Sequence, residues 1–179
     1  TNMTKDRYDT HIWSLLLKEK TPRQFTYGRG NDSHPRWSPD GKTILFLSDR
    51  LDGEKNQIFV IPADGGEARK LTDVEEGVSR PSWSPDGKTI LFSAQVSKGE
   101  NEKGSDVNII RRIRYKIHTG SFIRGRRTHI FSVPSEGGKI EQLTDGEFDV
   151  DSAVWSPDGG RVAFISNLEE YADLSKFKH

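Results

Sequence analysis

With no cysteine in the chain, thiol nucleophiles, zinc ribbons and disulfide scaffolds are excluded, and nucleophilic chemistry would fall to serine. A serine nucleophile elbow reads Gly-x-Ser-x-Gly on a strand-to-helix turn. The nearest match, Gly77-Val78-Ser79-Arg80-Pro81, lacks the last glycine, and no amphipathic helix pattern follows it. The histidines His11, His34, His118, His129 and His179 form no i, i+4 pair and no His-x-His, so a local metal site is not encoded. No glycine-rich phosphate loop or P-loop lysine occurs. Acidic residues such as Glu75-Glu76 and the pair Asp149 and Asp151 fall between periodic segments, where they read as solvated loop charge. The chain by itself is expected to be non-catalytic, with no cofactor and no metal.

One segment carries concentrated charge. Residues 98–127 hold nine Lys/Arg and three Asp/Glu, a net of +6 within a chain whose formal charge is zero. There Ile113, Tyr115 and Ile117 alternate with Arg112, Arg114 and Lys116, a half-buried strand pattern. His118-Thr119-Gly120-Ser121 reads as a turn and Phe122-Ile123 as the start of a return strand, which together make a basic hairpin. Arg111, Arg112, Arg114, Tyr115, Arg126 and Arg127 are the candidate contacts to a substrate or a neighbouring domain. A solvated loop without a role is the competing reading. Nucleic acid is not expected as a partner, because aromatic interleaving is thin and the domain is neutral.

The elements that must position this segment are repeats. Trp-Ser-Pro-Asp-Gly occurs at Trp37–Gly41, Trp83–Gly87 and Trp155–Gly159. Each copy follows a threonine by eleven residues (Thr26, Thr72, Thr144), and each threonine follows an Ile-aromatic pair by thirteen from the aromatic (Trp13, Phe59, Phe131). Two spacings held three times define a unit. Ser-Pro-Asp-Gly is a tight turn: proline presets φ, aspartate tolerates the bridge region and glycine supplies positive φ. After it come Thr43–Leu47, Thr89–Phe92 and Arg161–Ile165, runs apolar on both faces, as a sheet sandwiched between two others requires. A third strand, Gln57–Pro62 or His129–Pro134, leads into a Gly-Gly turn and a fourth strand ending at Leu71-Thr72 or Leu143-Thr144. Four strands in about 46 residues is the period of a propeller blade.

The fold class is therefore all-β, a partial β-propeller of about three blade equivalents. The expected units are a half blade at 11–26, full blades at 34–72 and 80–144, a half blade at 152–167 and a polar tail at 168–179. The second full blade carries the basic hairpin as an insertion between its second and third strands, at about 94–127. Because second-to-third and blade-to-blade connections leave the same strand ends, the insertion should share a face with Gly28–Ser33, Asp73–Ser79 and Asp145–Asp151. The three tryptophans are expected to pack between blades rather than stack a ligand. Asp40, Asp86 and Asp158 are expected to serve turns rather than calcium, since no further aspartate follows at ligand spacing. Open strands at the two half blades offer edges for self-association or for missing blades.

Charged residues make up 30% of the chain, Lys+Arg balancing Asp+Glu at 27 each, which argues against a polyanion-binding protein. Aromatics are too many for a disordered acidic tail. No apolar stretch approaches a membrane span, and the N-terminal residues lack an apolar signal core, so no membrane partner and a cytoplasmic location are expected.

Trp-Ser-Pro-Asp-Gly-Lys followed by Thr-Ile-Leu-Phe, the Asp-Gly-Gly-Glu turn and Leu-Thr-Asp resemble the propeller repeats of TolB-like proteins and of prolyl-oligopeptidase-family serine peptidases. Ser105–Lys116 and Arg126–Phe131 resemble the corresponding segment of the acylaminoacyl-peptidase and dipeptidyl-aminopeptidase branch. The resemblance covers about residues 8–170. It implies an N-terminal propeller that caps a C-terminal α/β-hydrolase domain with a Ser-Asp-His triad, restricting access to short peptides whose N-terminal acylamino acids or dipeptides are released. None of the triad positions exists in this chain. A TolB-like propeller used for protein interaction is the alternative that the motifs leave open.

Overall fold

The Ser-Pro-Asp-Gly turns build the same hydrogen-bond cage three times in the computed structural model. Ser38 and Ser84 each donate Oγ–H to the Oδ1 of Asp40 and Asp86 at 2.6 Å, and Ser156 does the same to Asp158. The same Oδ1 accepts the backbone N–H of Lys42, Lys88 or Gly160 at 3.0 Å. The serine Oγ in turn accepts the N–H of the residue five positions on, Thr43, Thr89 or Arg161. The serine hydroxyl first, and the backbone N–H second, hold all three carboxyls below the ordinary aspartate range. Gly41, Gly87 and Gly159 sit at φ near +70°, which a side chain would strain.

The structure describes residues 9–51, 55–97 and 126–166. The described strands are β1 (Trp13–Leu15), β2 (Pro22–Gln24), β3 (Asp32–Trp37), β4 (Thr43–Ser48), β5 (Gln57–Pro62) and β6 (Arg69–Lys70). They continue as β7 (Val78–Trp83), β8 (Thr89–Ser97), β9 (Arg126–Pro134), β10 (Glu141–Gln142), β11 (Val150–Trp155) and β12 (Val162–Ser166). The described strands pair antiparallel, in two four-stranded sheets, β3-β4-β5-β6 and β7-β8-β9-β10, between two-stranded sheets β1-β2 and β11-β12, and a single parallel bridge joins Thr10 to Asn31. This is a partial propeller.

The alternation along the middle strands explains why they are apolar on both faces. Ile44, Phe46, Phe59 and Ile61 pack with Ile12 against the β1-β2 sheet. Leu45, Leu47, Ile58 and Val60 face the opposite way and pack with Val78, Ile90 and Phe92 of the next blade. A third cluster joins Leu91 and Ile130 to Val150 and Trp155. Each such side chain, removed from water, contributes about 1.5–3 kcal/mol.

The repeated threonines have a specific task. Thr26, Thr72 and Thr144 each accept the backbone N–H of Ile12, Ile58 or Ile130 at 2.9–3.0 Å, fastening the end of the fourth strand to the start of the third. This accounts for the thirteen-residue spacing.

The innermost strands are Asp32–Trp37, Val78–Trp83 and Val150–Trp155. A bulge interrupts each of them. In the first two, His34 and Arg80 take φ of 53° and 52° directly before a proline. Hydrophobic periodicity does not register an extra residue of this kind.

Candidate functional site

Strand direction separates two ends of the sheets. The Ser-Pro-Asp-Gly and Gly-Gly turns occupy one. Blade-to-blade loops and second-to-third connections occupy the other, called here the loop face.

On the loop face, β8 and β9 extend the ladder of the second full blade through Gln95↔Thr128, Val96↔Arg127 and Ser97↔Arg126. The two arginines at the root of the insertion are bound to neighbouring loops. Arg126 Nη1 lies 2.6 Å from Glu76 Oε2, and Lys55 Nζ reaches the same oxygen at 3.4 Å. Arg127 spans Asp149 at 3.3 Å and Glu147 at 3.4 Å, while Asp149 also accepts the Thr128 N–H at 2.9 Å. The acidic residues that read as solvated loop charge therefore include the counter-ions of this root. Arg111, Arg112, Arg114 and Tyr115, with the rest of the expected hairpin, lie outside the described residues.

A second polar group stands on the same face of the first full blade. Arg50 Nη2 donates to both carboxylate oxygens of Asp32 at 2.8 and 2.7 Å, and its Nε donates to Ser48 Oγ at 3.1 Å. The guanidinium carbon sits 5.1 and 5.4 Å from the ring centres of Phe46 and Phe59, within cation–π range. Asp32 is buried, and His11 Nδ1 lies 3.9 Å from it, buried and without a hydrogen-bond partner. Sequence reading missed this group. The available signal was a charged pair, Asp32 and Arg50, where the next blade carries Val78 and Val96 at equivalent positions.

Ser79 lies within β7 rather than on a strand-to-helix turn, and its hydroxyl donates to the Ser93 carbonyl at 3.4 Å. His34 is exposed beside Ser33, and His129 is buried against Thr144. Among the described residues no three His, Cys, Asp or Glu side chains gather as metal ligands. No helix among them is long and apolar enough to cross a membrane.

The residue pattern and the blade geometry meet in one comparison. The family model of the TolB beta propeller domain (PD40) matches residues 2–112. The chain belongs to that family. This TolB-type propeller is 37% identical over 183 residues to a Bacillus subtilis protein named uncharacterized peptidase YuxL, a match covering 98% of this chain and 28% of that protein. It is 26% identical over 157 residues to uncharacterized protein Atu1656 of Agrobacterium fabrum, covering 86% of this chain and 46% of the relative. The chain thus spans less than half the length of either. Among solved structures, acylaminoacyl peptidase of Pyrococcus horikoshii superposes with a TM-score of 0.60 at 22% identity, over 79% of this chain and 21% of that one. A putative TolB from Agrobacterium tumefaciens gives 0.56 at 22% identity, over 87% and 50%. At these identities the superpositions speak for the fold.

Proposed function

We propose that this TolB-type propeller is the non-catalytic part of a serine exopeptidase or oligopeptidase of the prolyl-oligopeptidase family. The similarity to a protein named a peptidase, running over 98% of this chain, carries the reading. In it, a C-terminal α/β-hydrolase domain and further blades complete the enzyme. The propeller gates and sieves short peptides, from which N-terminal acylamino acids or dipeptides are released in the cytoplasm. The loop face turns toward that domain, Arg126 and Arg127 hold the root of the basic segment, and Arg111, Arg112, Arg114 and Tyr115 meet the partner domain or an anionic group on the peptide.

The test is a comparison between the 179-residue chain and the product of the reading frame continued past His179. Acetyl-amino-acid and aminoacyl chromogenic substrates should be cleaved by the longer product, with inhibition by a fluorophosphonate, and not by the chain alone. Turnover by the repurified chain, or a continued frame with no hydrolase activity, would overturn the reading. In the longer product, replacing Arg111, Arg112 and Arg114 with serine should change the preference among peptides of different charge. A protein-interaction propeller is the second reading, favoured by 44% identity over 46 residues to the Tol-Pal system protein TolB of Bordetella pertussis. It predicts stable capture of a protein partner and no peptidase activity in either product.

A further inference from the structure

We propose that the cleft between the two full blades, at the end of the sheets opposite the loop face, binds a linear alkyl diamine or polyamine, with one ammonium group at each end of the cleft. Both walls belong to complete blades, and the inference is independent of the peptidase reading.

The cleft measures about 410 Å³, within the range of small-molecule sites. Val60, Pro62, Asp40 and Glu67 of the first full blade face Trp83, Asp86 and Glu136 of the second across it. Strand order sets these groups along a line. The Ser-Pro-Asp-Gly turns join the first and second strands of a blade, and the Gly-Gly turns join the third and fourth. Asp40 and Asp86 therefore stand at the inner end of the cleft, and Glu67 and Glu136 at the outer end. The stretch between is apolar, with Val60 and Trp83 drawn from the cluster that joins the two blades. Carboxylates at both ends of an apolar trough fit an alkyl chain that carries a cation at each end. Trp83 adds an aromatic ring, the side chain best suited to attract a cation.

Both ends are closed by contacts between the blades. At the inner end a Cβ on Gly87 would sit 3.4 Å from Pro39 Cδ, so the two Ser-Pro-Asp-Gly turns touch. Asp40 and Asp86 are kept ionised there by a serine hydroxyl and a backbone N–H, both bonded to Oδ1. Lys42 and Lys88 act on these carboxylates from outside the lining. At the outer end Arg69 crosses the gap. It donates from Nη1 to the Glu136 carbonyl at 2.9 Å and from Nη2 to the Ser135 carbonyl at 3.3 Å. Its Nη2 also lies 3.9 Å from the Glu136 carboxylate, which it offsets. Glu67 has no hydrogen bond or ion pair among the described residues. Asp40, Glu67, Asp86 and Glu136 against Arg69 leave the lining strongly negative.

The repeat shows that this charge is not a requirement of the blade. Counted from the Gly-Gly turn, the second full blade carries Lys139 where the first has Glu67, and Glu141 where the first has Arg69. Glu67→Lys thus installs a residue that the fold already carries at the equivalent position, and reverses the charge at one end of the cleft.

Isothermal titration calorimetry of the 179-residue chain at low ionic strength, where exposed charges are least screened, tests the proposal with putrescine, spermidine, butylamine and butanediol. Putrescine and spermidine should bind, butylamine about tenfold more weakly, and butanediol not at all. Glu67→Lys should weaken putrescine about tenfold with unchanged far-ultraviolet dichroism, whereas the same change at exposed Glu75 on the loop face should leave its affinity within about twofold. No heat from putrescine would overturn the proposal. So would butylamine binding as tightly as putrescine, which would assign the cleft to a single ammonium such as a lysine side chain. An equal loss in Glu75→Lys and Glu67→Lys would reduce the effect to general charge attraction and overturn it as well.

Discussion

Trp83 donates its indole Nε1–H to the Arg36 carbonyl at 3.2 Å, tying the innermost strand of one blade to that of the blade before it. The bond joins residues 47 positions apart, and the ring packs against the apolar cluster between the same two blades. Trp83→Phe keeps the aromatic packing and removes the donor. It should cost about 0.5–1.5 kcal/mol, read as a lower urea midpoint with unchanged slope. Trp83→Ala should cost markedly more, since the packing is lost with the bond. Equal losses in the two variants would show that the hydrogen bond, rather than the ring, fastens the blades.

Thr72 is buried, and its Oγ1 accepts from Ile58 N–H while donating to Gln57 Oε1 at 2.8 Å. Thr72→Val preserves shape but leaves a buried N–H unpaired, at a cost of about 1–3 kcal/mol. Hydrogen exchange at the Ile58 amide should accelerate in this variant. Unaltered exchange there would remove the threonine from its fastening role.

Asp32 and Arg50 occupy positions that are Val78 and Val96 in the following blade. Arg50→Val alone strands a carboxylate whose side chain is 2% exposed, and should destabilise by about 3 kcal/mol. The double variant Asp32→Val with Arg50→Val rebuilds the apolar chemistry of the next blade and should recover most of that loss. Denaturant titrations of the two variants decide the point, and a double variant as unstable as the single one would contradict it.

The three turn carboxyls are held low in the folded chain, so the sign of their pH effect is fixed. Their stabilisation is complete above the unfolded aspartate value and is lost as pH falls through the lower folded values. The wild-type denaturation midpoint should therefore fall between about pH 5 and pH 3. The variant with Asp40, Asp86 and Asp158 all replaced by asparagine should fall less over that window. Parallel pH profiles for the two proteins would assign acid sensitivity to other groups.

The fold was largely legible in the sequence because its information is local and repeated. Proline, aspartate and glycine at fixed offsets specify a turn within five residues, and Thr72 reaches Ile58 through a connection of constant length. Apolar residues on both faces of Thr43–Ser48 announce that another sheet lies on each side. What only the tertiary structure decided are contacts between side chains whose separation carries no period. Glu76 meets Arg126 across 50 positions, and Asp32 meets Arg50 across 18, because strand ends from different connections converge on the loop face. The same holds for the left-handed residues His34 and Arg80, whose bulges answer to the paired strand rather than to their own hydrophobic pattern. Charge pairing at a loop face depends on where separate strands end in space, and a one-dimensional spacing does not contain that distance.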